Sequence, residues 1–351
     1  MAVTYHEPLG LLSGGLAAEA RATGMALPLA GGPLAFTAVA THARGARPRF
    51  QSIVELDEAA LGALIAPRPP WAGLELSRPH VMGVVNVTQD SFSDGGAYFD
   101  AGAAVAHGMA LAAAGAAIVD VGGESTRPGA LAVDEAEERR RVVPVVKALS
   151  DAGCLVSIDS RRAGVMAEAI DAGARILNDV GALEGPGCLE LAARSGLPVV
   201  LMHKRGEPRT MQQAARYDHV LLDVFDYLAA RIAACDTAGI PPARVAIDPG
   251  LGFAKTADHN LTILGHLGLL HGLGCPILVG ASRKSFIGRL AGGAAARDRV
   301  GGSLAASLHA VARGAQLVRV HDVPETVQAL AIWQAISGHQ AAELSPEPPP
   351  A

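Results

Sequence analysis

From about residue 80 onward the chain repeats one pattern eight times. A short β-branched apolar run meets a polar cluster, and an Ala-rich stretch of helical period follows. The runs are Val81–Thr88, Ala117–Ser125, Leu155–Ser160, Arg175–Val180, Pro198–His203, Arg244–Gly250, Pro276–Ser282 and Leu317–Asp322. Intervening segments such as 134–149 and 161–172 place apolar residues on one helical face. Gly115, Gly153, Gly173, Gly196, Gly239 and Gly314 stand just before strands, where helices end. Strands alternating with helices mean a parallel sheet, and eight units over about 245 residues match a closed (β/α)8 barrel better than an open sheet. A doubly wound dinucleotide-binding sheet should carry G-x-G-x-x-G after its first strand. None follows Val81–Thr88, and the Gly250-Leu-Gly-Phe-Ala-Lys-Thr256 run has the wrong spacing for a phosphate loop.

Residues 1–75 do not share this rhythm and are read as an N-terminal extension of unknown role, with a strand at Leu34–Thr41 and a helix at Asp57–Ile65. Residues 76–340 form the barrel, and the Pro-rich tail over 341–351 is read as disordered. Half of the 351 residues are hydrophobic, ample for one large core, and the net charge of −5 gives no ground for a nucleic-acid partner. Cys154, Cys188, Cys235 and Cys275 are scattered, which suits reduced packing residues. The uncharged stretches Ala101–Val119 and 22–43 are Ala-rich or broken by Gly and Pro, so no membrane span is expected. The first residues lack the basic-then-apolar order of a secretory signal, and a soluble cytoplasmic protein is expected.

A barrel builds its site at the C-terminal ends of its strands. Those ends carry Asn86, Asp120, Asp159-Ser160, Asn178-Asp179, Met202-His203-Lys204, Asp248, Ser282-Arg283-Lys284 and Arg319-Val-His321-Asp322. Any one of these can be a helix cap, and capping is the better reading for Ser160 and Asp179. Convergence of the whole set at one end points to a site. Asp159, Asn178, Asp248 and Lys284 offer the acceptors and donors that a small polar heterocycle needs, with Phe253 and Met202 able to sandwich its ring. Thr126, Arg127, Arg319 and His321 suit an anion such as a phosphate, and Asn86 could hold Mg²⁺ against it. Arg283 is left without a role.

At this point the chain closely resembles the dihydropteroate synthases. The matching motifs are Asn86-Val-Thr-Gln-Asp-Ser-Phe-Ser-Asp-Gly-Gly96, Asp120-Val-Gly-Gly-Glu-Ser-Thr-Arg-Pro-Gly129, Ser157-Ile-Asp-Ser160, Ile176-Leu-Asn-Asp179, Arg209-Thr-Met-Gln212, Asp248-Pro-Gly-Leu-Gly-Phe253, Gly280-Ala-Ser-Arg-Lys-Ser285 and Arg319-Val-His-Asp-Val323. They run in the family's order from about 80 to 330. The resemblance implies a Mg²⁺-dependent transferase of folate biosynthesis, usually a homodimer and the target of sulfonamides. It would join 6-hydroxymethyl-7,8-dihydropterin diphosphate to 4-aminobenzoate and release diphosphate.

By the same resemblance Asp159, Asn178, Met202, Asp248, Phe253, Gly280 and Lys284 look like the pterin-binding set. Asn86, Thr126, Arg319 and His321 look like diphosphate contacts, with Asn86 the Mg²⁺ ligand. Arg127, Pro128 and Ser282 look like the 4-aminobenzoate site, and Asp94, Asp159 and Lys284 like the catalytic groups. The chain departs from the family's usual pattern at Gln89, commonly Pro, at Lys204, commonly apolar, and at Ala254, commonly Gly. Two other readings compete: a pterin-dependent methyltransferase-like barrel, for which the Asn86 loop and the Arg319/His321 anion site would be surplus, and a catalytically silent pterin-binding paralogue.

Overall fold

A computed structural model describes residues 3–56, 58–87, 101–124, 133–206 and 215–339. The chain opens with β1 (Thr4–Leu9), α1 (Gly14–Ala22), β2 (Leu27–Pro28), β3 (Ala35–Phe36), β4 (Ala38–Ala43), β5 (Arg49–Ser52) and α2 (Glu58–Ile65). There follow β6 (His80–Asn86), α3 (Ala101–Ala113), β7 (Ile118–Gly122), α4 (Glu135–Asp151), β8 (Val156–Asp159), α5 (Ala163–Asp171), β9 (Ile176–Asp179), α6 (Cys188–Ser195) and β10 (Val199–Met202). The chain continues through α7 (Val220–Thr237), β11 (Val245–Asp248), α8 (Ala257–Gly265), β12 (Leu278–Val279), α9 (Ser285–Leu290), α10 (Val300–Ala312), β13 (Leu317–Val320) and α11 (Val323–His339).

The expected (β/α)8 barrel is the fold. Strands β6 to β13 form one parallel sheet in the order β11-β10-β9-β8-β7-β6-β13-β12. A parallel bridge between Ile247 and Ile277 joins its two ends. Each of the eight apolar runs read from the sequence contains one strand. The six glycines expected to end helices have left-handed backbones, from +71° at Gly196 to +110° at Gly173.

Alternation along the strands sorts side chains to two sides. One set, including Val119, Val121, Ile158, Leu177, Leu201, Ile247 and Val279, packs outward against the helices in one large buried cluster. The other set faces the barrel axis. Met82, Ile118, Ile176, Val200, Ala246, Leu278 and Leu317 meet there in a separate apolar cluster, closed by Trp71 and Leu76 from the segment ahead of β6. Trp71 Nε1 donates to the Arg244 carbonyl at 3.1 Å, which satisfies the one polar atom of this plug. The foot of the barrel is therefore dry and solid, and a ligand can enter from the opposite end alone.

The extension folds into a β1-β4-β5 antiparallel sheet, a β2-β3 ribbon and two helices. The single strand expected over Leu34–Thr41 is split at Thr37, whose N–H bonds to the Leu9 carbonyl, so β3 pairs with β2 and β4 with β1. Leu29, Leu34, Phe36, Val39, Ile53, Leu61 and Leu64 give this unit a small core. It docks on the barrel through Tyr5, which packs on Leu221, Leu222 and Leu269 and donates to Asp226 at 2.9 Å. Arg44 pairs with Asp223 and Asp226 beside it. The tail over 341–351 lies outside the described residues. Cys188, Cys235 and Cys275 are buried and unpaired. Among the described residues no helix is long and apolar enough to cross a membrane.

Two glycines separate conformational demand from close approach. Gly250 follows β11 with φ +67°, and a Cβ there would stand 1.9 Å from the His203 carbonyl oxygen. Gly196 has φ +71° and open space where its Cβ would be. Gly196→Ala should therefore cost only the left-handed penalty of about 1–2 kcal/mol. Gly250→Ala must also move backbone and should exceed about 4 kcal/mol. Denaturant unfolding of both variants checks this ordering.

Candidate active site

Two residues above the apolar layer, the inward position changes character on six strands, while on β6 Met82 leads to buried Val84 and only then to Asn86. Ile118 gives way to Asp120, Ile176 to Asn178, Val200 to Met202, Ala246 to Asp248, Leu278 to Gly280 and Leu317 to Arg319. Ser157 leads in the same way to Asp159. The period of two that builds the dry foot thus lifts functional groups from most strands into a second layer at the C-terminal end.

Arg319 organises that layer. Its Nε donates to Asp120 Oδ2 at 2.6 Å and its Nη2 to Asp159 Oδ2 at 2.6 Å. Asn178 Nδ2 donates to the same Asp120 oxygen at 3.1 Å. Burial works against the Arg319 charge, but the two carboxylates outweigh it and hold the guanidinium above its usual range. One cation cannot fully offset two anions. Burial pushes the Asp159 carboxyl up to about 7, Arg319 opposes the rise, and Asp120 adds to it. Asp120 Oδ1 and Ser157 Oγ, on paired positions of β7 and β8, are buried with no hydrogen-bond partner among the described residues. Asp120 lies at the centre of the site, yet the sequence reading assigned it no role. Its step of two above Ile118 is the signal that marks it.

Asp248 stands on the far side of the layer. Burial pushes its carboxyl up, while the Gly250 N–H at 2.7 Å and the Lys284 and Arg319 charges oppose this. Gly280 leaves room beside it: a Cβ there would lie 3.8 Å from Asp248 Oδ2 and 3.9 Å from Arg319 Cβ, so a longer side chain would grow into the space between them. Met202 and Phe253 pack with Val180 and Ala254 in one apolar cluster. Lys284 Nζ sits 4.3 Å from the centroid of the Phe253 ring, a cation–π contact. The turn that delivers Lys284 runs through Arg283 at φ +58°. That strained residue is held by an ion pair from Arg283 to Asp322 and by the Ser303 hydroxyl accepting from its N–H at 2.9 Å. Arg283 is thus a brace for the loop. Ser282 Oγ accepts from the His321 N–H and lies 3.1 Å from its Nδ1.

Asp179, read from the sequence as a helix cap, instead closes the turn after β9, accepting from Gly181 N at 2.6 Å and Leu183 N at 2.9 Å, and α6 begins later with Gly187 as its N-cap. Ser160 accepts from Arg162 N at 3.3 Å and donates to Glu138 at 2.7 Å, so it links a cap to an ion-pair network. In that network Arg162 pairs with Glu138 and reaches Glu124 Oε1 at 3.1 Å and the Val133 carbonyl at 2.5 Å. Val133 N also donates to Glu124 at 3.2 Å. Residues 124 and 133 bracket 125–132, so one arginine fastens both ends of that loop. Asp94, Thr126, Arg127, Pro128 and Gln89 lie outside the described residues. Asn86 ends β6 half-buried at the rim.

Ala254 has φ +52°, a conformation that favours glycine, and its methyl is fully buried. A left-handed alanine costs about 1–2 kcal/mol and burying a methyl returns about 0.8 kcal/mol, so the departure from glycine here is close to neutral. Next to it, Lys255 is buried, with Nζ 2.9 Å from His203 Nδ1 and donating to the carbonyls of Gly250 at 2.9 Å and Phe253 at 3.1 Å. Sequence reasoning missed this residue, because a lysine after Phe253-Ala254 reads as solvent-facing. Burial pulls its pKa down to about 7, with Asp248 opposing. The unfolded chain then binds more protons than the folded one between about pH 7 and about 10.4, so Lys255 makes stability rise with pH across that window. Lys255→Met should flatten this rise, as followed by denaturant unfolding at pH 7, 8.5 and 10.

The family model for pterin-binding enzymes matches residues 82–321. The chain is 48% identical over 263 residues to dihydropteroate synthase of Escherichia coli K12, covering 75% of this chain and 93% of that protein. Among solved structures it is similar to dihydropteroate synthase of Xanthomonas albilineans in complex with 7,8-dihydropteroate. That match has 47% identity, a TM-score of 0.69, and coverage of 75% and 95% of the two chains. The Yersinia pestis dihydropteroate synthase with a sulfonamide drug complex matches at 47% identity and TM-score 0.72, over 75% and 96%. The protein and structure matches each leave about a quarter of this chain unaligned.

Proposed function

The chain belongs to the pterin-binding enzymes, among the dihydropteroate synthases, and on that premise we propose how its own residues carry the reaction. It is a transferase of folate biosynthesis. It condenses 6-hydroxymethyl-7,8-dihydropterin diphosphate with 4-aminobenzoate to give 7,8-dihydropteroate and diphosphate. The observation that carries the assignment of roles is the polar layer itself: carboxylates, an amide and two cations converge at the open end of a barrel whose other end is plugged.

Asp248 accepts from the N–H and NH2 edge of the pterin, Asn178 matches its mixed edge, and Lys284 donates to a ring carbonyl or nitrogen. Met202 and Phe253 give the ring an apolar surface, and Gly280 leaves space for it. Arg319 and His321 face the diphosphate, joined by Thr126. Breaking the C–O bond leaves positive charge on the pterin methylene, and Asp159 and Asp94 stabilise it. The aniline nitrogen of 4-aminobenzoate, held by Arg127, Pro128 and Ser282, attacks that carbon and then loses a proton. Asn86 fits Mg²⁺, because a neutral oxygen donor at the rim leaves the other positions to water and substrate phosphate, which is how Mg²⁺ is usually held. When bound, the ion would neutralise charge on the departing diphosphate. A homodimer and a cytoplasmic location belong to the same reading, supported by the family and, for a reducing compartment, by the unpaired cysteines.

Purified protein incubated with both substrates and Mg²⁺ should release dihydropteroate and diphosphate in equal amounts. Asp248→Asn, which loses a charge-assisted bond of about 1.5–3 kcal/mol, should weaken pterin binding about tenfold or more in calorimetry while the fold persists. Absence of product with wild-type protein that binds both substrates would leave the silent paralogue as the better account.

Arg162 is a positioning residue for the loop that carries Arg127 and Pro128. Arg162→Ala should raise the KM for 4-aminobenzoate several-fold and leave calorimetric pterin affinity within about twofold. Equal losses for both substrates would mean that Arg162 supports the barrel as a whole.

A further inference from the structure

Three ligand-bearing side chains meet where the extension docks on the barrel. Glu7 lies on β1, His42 on β4, and His266 caps the C-terminal end of α8. Tyr5 pairs with His42 across the sheet, so alternation puts Tyr5, Glu7 and His42 on the one face that meets the barrel. Both Glu7 oxygens lie 3.0 Å from His266 Nδ1, and Glu7 Oε2 lies 2.8 Å from His42 Nε2. The ligand atoms all fall within 4.8 Å of one another. The two imidazole rings stand at 83° with centroids 6.1 Å apart, each aiming a nitrogen at the same carboxylate. Glu7 and His42 are buried, and His266 is half-exposed.

We propose that Glu7, His42 and His266 bind a divalent transition-series cation, Zn²⁺ being the best match, and that the ion clasps the extension to the barrel. Two imidazoles and a carboxylate are the ligand set that zinc accepts with a fourth position left to water. Mg²⁺ and Ca²⁺ prefer sites made wholly of oxygen. A tetrahedral ion at about 2.0–2.1 Å from each ligand sets ligand atoms roughly 3.3 Å apart, so the Glu7–His contacts of 2.8 and 3.0 Å open slightly while ligand atoms lying up to 4.8 Å apart draw together. Without metal, Glu7 pairs with His42 and His266; a cation would replace these contacts, with both rings coordinating as neutral imidazoles. His266, at the surface, provides the entry path. Glu7 and His42 lie in the extension, and His266 follows α8 on the barrel, away from the strand ends.

The test is Zn²⁺ titration of the full-length protein after chelation and desalting, in buffer without Mg²⁺, followed by calorimetry and thermal unfolding. Wild type should bind one equivalent and gain several degrees in Tm. His266→Ala should lose that equivalent and melt with the metal-free wild type, and Glu7→Gln should lose it as well. Co²⁺ should give the intense visible absorption of a tetrahedral site in wild type alone. No saturable binding by wild type, or the same isotherm in both variants, would overturn the proposal.

Discussion

The ion triad of Asp120, Arg319 and Asp159 is the contact on which the rest of the site depends. It spans β7, β13 and β8 across the mouth of the barrel. Its charges are withdrawn from water, so removing Arg319 leaves two buried carboxylates uncompensated, at a cost of about 3–5 kcal/mol. The triad also fixes positions. Arg319 can serve an anion at its rim only because two carboxylates hold its guanidinium flat against the strand ends. Asn178 is oriented by the same Asp120 oxygen, which leaves its carbonyl oxygen and one N–H for a ligand. Burial raises Asp159, with Asp120 adding to the rise against Arg319, and two carboxylates facing one guanidinium suit the site to receive positive charge where a C–O bond breaks toward a cation.

This arrangement is affordable because of the layer beneath it. Seven inward apolar residues and the Trp71 plug exclude water from the foot of the barrel. The polar layer therefore rests on a rigid, low-dielectric floor, where hydrogen bonds to charged groups are strongest. The braces around the layer follow the same logic. Lys255 ties the Asp248–Phe253 loop through three of its neighbours, Asp322 holds the left-handed Arg283 turn, and Arg162 ties Glu124 to Val133. None of these three need touch a substrate, yet each sets where a substrate-facing residue stands.

The strand count, their ends and the positions of Asn178, Asp248, Lys284 and Arg319 were legible because a barrel strand writes its two faces as alternate letters. The role of the terminal glycines was legible for a similar local reason. What remained hidden depends on partners far away in sequence. Asp120 reads as a strand residue until Arg319, about 200 positions later, is seen beside it. Lys255 reads as a surface lysine until His203 and two carbonyls are found around its ammonium. The extension was harder still, because its strands are short, Thr37 divides one of them, and its docking groups Tyr5, Glu7 and Arg44 acquire meaning only from Asp226, His266 and Asp223 on the barrel. Arg283 was rightly left without a role, since its work is conformational.

The most direct test is a crystal structure with 6-hydroxymethylpterin diphosphate bound. The account predicts the pterin ring between Asp248 and Asn178, against Met202 and Phe253 and within reach of Lys284, with the diphosphate beside Arg319, His321 and Asn86 and the Asp120–Arg319–Asp159 triad intact. A pterin bound elsewhere, or one that enters only by breaking the triad, would contradict it.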